Sequence, residues 1–95
     1  MEQIRVAING FGRIGRLSLR ALLQKANIEV VAINDLTDAT TLAYLFKYDS
    51  NYGRFPNKVT AVESSLFVNG KKIRVLAESN PAKLPWEELQ IDIVL

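Results

Sequence analysis

The sequence contains no cysteine and no histidine among its 95 residues. The lack of cysteine excludes disulfide bonds, thiolate zinc sites and cysteine nucleophiles, and the lack of histidine removes imidazole bases and most transition-metal sites. We therefore assign no catalytic and no metal-binding residue in this chain. Because any catalysis would depend on carboxylates, lysine, tyrosine or a cofactor, the composition disfavours a complete enzyme.

Long apolar runs and an excess of one charge are also missing. The apolar run at residues 30–33 is far shorter than the ~18 residues of a membrane-spanning helix. The first residues, Met1-Glu2-Gln3, lack the positive charge that opens a signal peptide. The 12 basic residues are interspersed with 10 acidic ones, which is not typical of a nucleic-acid-binding surface despite the pI of about 9.1. We expect a cytoplasmic protein with neither a membrane nor a nucleic acid as its partner.

Hydrophobic spacing predicts a strand, a helix and a second strand in the first third of the chain. Residues 4–8 alternate and are rich in β-branched side chains, and residues 30–33 form a continuous apolar run typical of a buried parallel strand. A helix is expected from Arg13 to about Asn27. Its predicted apolar face comprises Ile14, Leu17, Ala21 and Leu22, widened by Leu19 and Leu23.

The remaining residues predict a second helix and then short strands. Thr37 and Asp38 are suited to cap a helix. Residues 47–56 are expected to form a loop, and residues 59–77 antiparallel strands with Asn69-Gly70 as a hairpin turn. A short helical turn is expected within residues 81–89, followed by a buried strand at 91–95.

Three glycines, Gly10, Gly12 and Gly15, form a G-x-G-x-x-G motif between the first predicted strand and the helix. In a dinucleotide-binding turn the first glycine permits the tight turn, the second lets the backbone approach a pyrophosphate, and the third lets the helix pack closely on the strand. The unpaired N–H groups near Arg13 and Ile14 would then face the anion. The motif therefore predicts a pyrophosphate site.

An acidic residue, Asp35, lies 20 residues beyond Gly15 at the end of the second predicted strand. A carboxylate there is placed to accept hydrogen bonds from the adenosine ribose. A 2′-phosphate beside it would be repelled by roughly 4 kcal/mol, and neither Leu36 nor Thr37 supplies a compensating cation. The prediction is NAD rather than NADP. The alternative, that the glycines only shape a turn and Asp35 only caps a loop, is disfavoured because strand, glycines, helix and acid are all in register.

Together these features predict an α/β protein with a Rossmann-type NAD-binding fold. Its sheet would be mostly parallel, with an added antiparallel hairpin. Because the strand expected at residues 91–95, apolar except for Asp92, ends the chain without a turn, cap or polar tail, we expect this fold to be incomplete.

Several separate motifs resemble the glyceraldehyde-3-phosphate dehydrogenase family. They are N-G-F-G-R-I-G-R at 9–16, V-A-I-N-D at 31–35, K-Y-D-S at 47–50, G-R-F at 53–55, V-N-G-K at 68–71 and D-I-V-L at 92–95. The resemblance spans the whole chain. It implies an NAD-dependent, phosphorylating oxidation of glyceraldehyde 3-phosphate to 1,3-bisphosphoglycerate in glycolysis, by a homotetramer whose catalytic cysteine and histidine lie further along the family sequence.

The resemblance also implies which residues bind NAD. Backbone groups at Arg13 and Ile14 would hold the pyrophosphate, Asp35 the ribose, and Asn9 and Asn34 would lie beside the adenosine. Ser79 occupies the position, usually arginine, whose main chain contacts the adenine edge. The full expected cofactor-binding set is Asn9, Gly10, Gly12, Arg13, Ile14, Gly15, Asn34, Asp35 and Ser79.

We expect residues 1–95 to be the N-terminal portion of a dinucleotide-binding domain, with the catalytic domain absent from this chain and the rest of the dehydrogenase polypeptide as its partner. One alternative is a standalone nucleotide-binding module, or half of a split protein, without catalysis. A second is erythrose-4-phosphate dehydrogenase. The arginines of the first helix, Arg13, Arg16 and Arg20, are interpreted as a solvated or subunit-facing surface rather than a nucleic-acid patch.

Overall fold

Six strands and two helices make up the part of the chain that the structure, a computed structural model, describes: residues 3–48 and 58–95. The strands are β1 (Ile4–Asn9), β2 (Ile28–Asn34), β3 (Val59–Val62), β4 (Ser65–Val68), β5 (Lys71–Leu76) and β6 (Ile93–Val94), and the helices are α1 (Arg13–Leu22) and α2 (Ala39–Tyr48). A short 3-10 turn covers Pro81–Lys83. None of the described helices is long and apolar enough to cross a membrane.

The strands form one sheet in the order β3-β4-β5-β2-β1-β6. The four strands β5, β2, β1 and β6 are parallel, whereas β4 pairs antiparallel with β5 and β3 pairs antiparallel with β4. From β1 the chain first crosses to β2 and later returns to β6 on the other side of β1. This reversal is the switch point of a doubly wound sheet, where ligands bind beyond the carboxyl ends of the strands. The predicted Rossmann-type fold with an added hairpin is confirmed.

The core lies between the sheet and the two helices. The buried side of α2, with Leu42 and Phe46, packs against β3 and β4. Phe11, from the glycine-rich turn, belongs to the same core and is only 1% exposed. Its ring centroid lies 5.9 Å from that of Phe46. Burying a phenylalanine contributes about 1.5–3 kcal/mol, so this contact fixes the turn to the core.

The predicted apolar face of α1 is wrong at Ile14, Leu17 and Ala21, which are exposed, whereas the predicted Leu19, Leu22 and Leu23 do lie in the core or pack against it. Gly15 and Leu19 are the buried residues of this helix, whereas Ile14 is 74% and Leu17 39% exposed. A face through Gly15 satisfies the helical period equally well, but hydropathy ignores glycine because it has no side chain. The glycine decides the face, since it lets the helix approach the sheet closely. The helix also ends at Leu22, earlier than expected.

Two more expectations are corrected by the structure. The last strand is limited to Ile93–Val94, and both residues are more than 40% exposed because β6 lies at the edge of the sheet with β1 as its one neighbour. Lys47 and Tyr48, expected in a loop, form the last turn of α2. The rest of that expected loop, residues 49–56, lies outside the described residues.

Two local turn predictions are confirmed. Asn69 and Gly70 join β4 to β5 with φ of 53° and 83°, the left-handed backbone that this hairpin turn requires. Asp38 caps α2: its Oδ1 accepts a hydrogen bond from the Thr41 N–H at 2.8 Å, and its Oδ2 accepts one from the Thr41 hydroxyl at 3.1 Å. The hairpin turn and the helix cap are therefore both determined by residues close in sequence.

Candidate functional site

The predicted cofactor-binding residues all lie at the carboxyl edge of the parallel sheet. Asn9 and Asn34 end the neighbouring strands β1 and β2, and the Gly10 N–H donates to the Asn34 carbonyl at 2.8 Å. The glycine-rich turn and the start of α1 follow β1, Asp35 follows β2, and Ser79 follows β5. Because β1, β2 and β5 are parallel, the fold brings these three segments to one edge.

The first and third glycines of the motif form a close contact. Gly10 has a φ of 93°, which side chains disfavour. A Cβ on Gly15 would collide with the Gly10 carbonyl oxygen and would lie 3.2 Å from Cγ2 of Ile8. Around Gly12, by contrast, no atom lies within 4 Å of an added Cβ. Gly10 is thus required by its backbone conformation and Gly15 by packing, and the space at Gly12 is open to a ligand.

The N-terminus of α1 carries unpaired amide groups. The helix begins with the Arg16 N–H donating to the Gly12 carbonyl at 2.9 Å, so the preceding amides have no partner within the helix. Gly12, at the N-cap, supplies no capping side chain, and the first turn contains no acidic residue. An anion such as a pyrophosphate fits this arrangement, because the exposed N–H groups and the positive end of the helix dipole both favour it.

The carboxylate of Asp35 holds the glycine-rich turn. Its Oδ2 accepts the Phe11 N–H at 2.8 Å and its Oδ1 accepts the Thr37 N–H at 2.9 Å. Partial burial by itself would raise the pKa of the Asp35 carboxyl, but the hydrogen bonds from Thr37 and Phe11 and the charge of Arg16 lower it below its usual value. The group is ionised at neutral pH. Its remaining lone pairs allow it to accept ligand hydroxyls as well.

Arg16 is a site residue that the sequence reasoning missed. Interpreted as part of a solvated stripe, it is instead half-buried, and its Nη1 donates to the Phe11 carbonyl at 3.2 Å. Its charge favours the ionised form of Asp35. The run of motif residues at 9–16, which Arg16 closes, was the available signal.

A buried amide links three segments of the site. Asn34 is 7% exposed, and its Nδ2 donates to Oδ1 of Asn9 and to the carbonyl of Glu78, both at 3.0 Å. Its Oδ1 accepts the Glu78 N–H at 2.9 Å. Glu78, not expected from the sequence, is therefore part of the site. Its neighbour Ser79 is exposed.

The arrangement suits binding rather than bond cleavage. It offers main-chain amides for an anion and a carboxylate for hydroxyl groups. Arg13 and Ile14 are exposed at the start of the helix. Their main-chain amides are therefore accessible to an anion. Within residues 3–48 and 58–95, no group of three or more Asp, Glu, His or Cys is placed to hold a metal ion.

A protein-family model matches residues 4–95, and its description is "Glyceraldehyde 3-phosphate dehydrogenase, NAD binding domain". The chain is also similar to curated proteins named glyceraldehyde-3-phosphate dehydrogenase. It is 62% identical to the one from Clostridium pasteurianum over 96% of this chain, 60% identical to that of Mycoplasma pneumoniae over 99%, and 60% identical to that of Thermotoga maritima over 96%.

These matches cover only part of each relative. The aligned region is 27% of the Clostridium pasteurianum protein and 28% of the other two. The chain therefore spans about a quarter of the length of the curated relatives it matches.

Proposed function

Because the chain belongs to the family of glyceraldehyde 3-phosphate dehydrogenase NAD-binding domains, we propose that it binds the adenosine and pyrophosphate portions of NAD for such an enzyme. The cofactor of this domain family is NAD, which accepts a hydride from the substrate when bound. The observation that carries the proposal is the pairing of open helix amides with an ionised carboxylate at one sheet edge.

The pyrophosphate, the adenosine ribose and the adenine of the cofactor each have a proposed partner in this chain. The main-chain amides of Arg13 and Ile14 hold the pyrophosphate, since the helix start has no capping side chain and no acidic residue. Asp35 binds the adenosine ribose, because its carboxylate is ionised and keeps free lone pairs. Gly10, Gly12 and Gly15 shape the turn, Asn9 and Asn34 support the adenosine side, and the main chain at Ser79 meets the adenine.

The reaction is proposed for a larger polypeptide in which residues 1–95 form the N-terminal portion of the NAD-binding domain. That enzyme oxidises glyceraldehyde 3-phosphate to 1,3-bisphosphoglycerate with NAD and inorganic phosphate, and it assembles as a homotetramer. The names and lengths of the relatives support this proposal. The nucleophile and the proton-transferring group come from the remaining polypeptide, because this chain has no cysteine and no histidine.

Calorimetric titration of the 95-residue chain with NAD, NADP and ADP-ribose tests the binding proposal. We expect NAD and ADP-ribose to bind with similar affinity and NADP at least tenfold more weakly, because its 2′-phosphate meets Asp35. Asp35→Ala should weaken NAD binding and reduce the difference in affinity between NAD and NADP. Glu88→Ala, which removes an exposed acid elsewhere, should change neither the affinity for NAD nor this difference. Folded protein that releases no heat with NAD would contradict the proposal.

The substrate is tested on the larger polypeptide. Its kcat/KM with glyceraldehyde 3-phosphate should exceed that with erythrose 4-phosphate when NAD and phosphate are supplied. The reverse order would assign the enzyme to the second substrate.

A further inference from the structure

We propose that Asn34 is a positioning residue that gives the site its preference for adenine by holding the Glu78–Ser79 peptide in place. This inference rests on the proposed NAD-binding function. It changes the role expected for Asn34, from a residue beside the adenosine to one that acts through the segment after β5.

The side chain of Asn34 is already committed within the protein. An asparagine amide has two N–H donors, and here one is given to Oδ1 of Asn9 and the other to the Glu78 carbonyl. The amide oxygen accepts the Glu78 N–H. With both donors used and the residue only 7% exposed, Asn34 has no donor left for a ligand.

The two bonds to Glu78 fix the orientation of a main-chain segment. The Glu78 N–H and C=O both face the same amide, so the segment is held at two points rather than one. Reversing the amide would set donor against donor and acceptor against acceptor, and therefore one orientation is favoured. Because the peptide unit is planar and trans, the Ser79 N–H points away from Asn34.

Local hydrogen bonds shape the same loop but do not anchor it to the sheet. The Glu78 side chain accepts the Asn80 N–H at 2.9 Å, and the Asn80 side chain accepts the Ala82 N–H at 3.0 Å. The Asp35 N–H donates to the Leu76 carbonyl at 2.8 Å, which ties down the start of the segment. The hydrogen bonds between Glu78 and Asn34 continue the attachment of this segment to β2. They place Ser79 in a defined position relative to the neighbouring Asp35.

A fixed main chain at Ser79 can distinguish one purine from another. Adenine presents an amino donor at C6 and an acceptor at N1, and hypoxanthine presents a carbonyl acceptor and an N–H donor at the same two places. Main-chain groups that match adenine are therefore mismatched with hypoxanthine. This discrimination requires an ordered segment, because a mobile one can turn to suit either base.

The experiment compares NAD with nicotinamide hypoxanthine dinucleotide in calorimetric titrations of the 95-residue chain. We expect the unsubstituted chain to bind NAD about tenfold more tightly, and Asn34→Ala to reduce this preference to within about twofold. Asn27→Ala, an exposed asparagine at the opposite end of the sheet, should keep the tenfold preference. Asn34→Asp, which keeps the shape but places oxygens against the Asn9 and Glu78 oxygens, should lose it.

The outcomes separate this inference from the proposed function. If the unsubstituted chain binds neither dinucleotide, the proposed function fails, and this inference fails with it. If it binds NAD but does not prefer it, or if Asn34→Ala weakens both ligands by the same factor, only the positioning role is overturned. Hydrogen exchange in the unsubstituted chain tests it without any variant: the Glu78 amide should be protected at least tenfold, and exchange at the rate of an open loop would overturn the proposal.

Discussion

The carboxylate of Asp35 accepts the main-chain N–H of Phe11 at a distance of 2.8 Å, so the acid after β2 is bonded to the middle of the glycine-rich turn after β1. The same carboxylate accepts the Thr37 N–H. Asp35 therefore has a structural role in the protein itself, in addition to the ribose contact proposed for it.

Removing this carboxylate should lower stability even without ligand. Asp35→Ala leaves the Phe11 and Thr37 amides without their acceptor, and we expect the free energy of unfolding to fall by about 1 kcal/mol. Urea denaturation at pH 7 measures the change. Glu88→Ala, at an exposed acid, should stay within about 0.5 kcal/mol of the unsubstituted chain. An equal effect of the two substitutions would show that the bond contributes nothing.

The lowered pKa of Asp35 predicts a loss of stability in acid. Hydrogen bonds from Thr37 and Phe11 and the charge of Arg16 outweigh burial, so the folded-state pKa lies below the unfolded value of about 3.9. The stabilisation is therefore present above pH 4 and disappears as the pH falls through the folded-state pKa. Urea midpoints at pH 7 and pH 3 should differ less in Asp35→Asn than in the unsubstituted chain. If the urea midpoint of Asp35→Asn changed as much between pH 7 and pH 3 as that of the unsubstituted chain, the acid sensitivity would not come from Asp35.

Two glycines of the same motif should separate folding from binding. Gly15→Ala places a Cβ against the Gly10 carbonyl oxygen, and we expect a loss of about 1–3 kcal/mol in unfolding free energy. Gly12→Ala meets open space and should leave stability within about 1 kcal/mol, but its methyl group occupies the approach to the helix amides and should weaken ADP-ribose binding about tenfold or more. A Gly12→Ala variant with unchanged affinity would place the pyrophosphate elsewhere.

The cap of α2 provides a test outside the site. Asp38→Ala removes the acceptor of the Thr41 N–H and should cost about 1 kcal/mol of unfolding free energy. Thr41→Ala loses only the bond from its hydroxyl to Asp38 and keeps the main-chain bond, so its cost should be smaller. Chemical denaturation of both variants provides the comparison, and a larger cost for Thr41→Ala would argue against capping by Asp38.

The turn between β3 and β4 should be improvable. Glu63 has a φ of 54°, a left-handed conformation that asparagine tolerates better than glutamate. We expect Glu63→Asn to raise the free energy of unfolding by about 0.5 kcal/mol. Ser64→Asn, at the next residue of the turn, should give no gain. Thermal unfolding of the two variants tests this. A higher melting temperature for Glu63→Asn alone would show that the turn is strained at Glu63, and no gain would show that it is not.

Local signals predicted the backbone structure of the candidate site better than they predicted the packing around it. The spacing of Gly10, Gly12, Gly15 and Asp35 specifies a turn, a helix start and a strand end, because backbone conformation there depends on neighbouring residues. Arg16 was missed because its charge acts on Asp35, which is 35 − 16 = 19 residues away, and Glu78 was missed because its bonds are to Asn34, which is 44 residues away.

The errors in the fold have the same physical origin. The exposed Ile14 and the buried Gly15 show that hydropathy ranks side chains but does not register a close backbone approach. Val94 is exposed although its strand is apolar, because β6 lies at the edge of the sheet. Composition alone therefore does not distinguish an edge strand from a buried one. In both cases burial depends on which element packs against the residue in the fold, and a single sequence does not show this.

Seating the ring of Phe11 in the core has a consequence for ligand recognition. A loop rich in glycine would ordinarily sample many shapes, and a nucleotide would have to select one of them and lose affinity in doing so. Here the buried ring favours one shape of the loop as the protein folds, so a nucleotide would meet a loop that already has its bound shape.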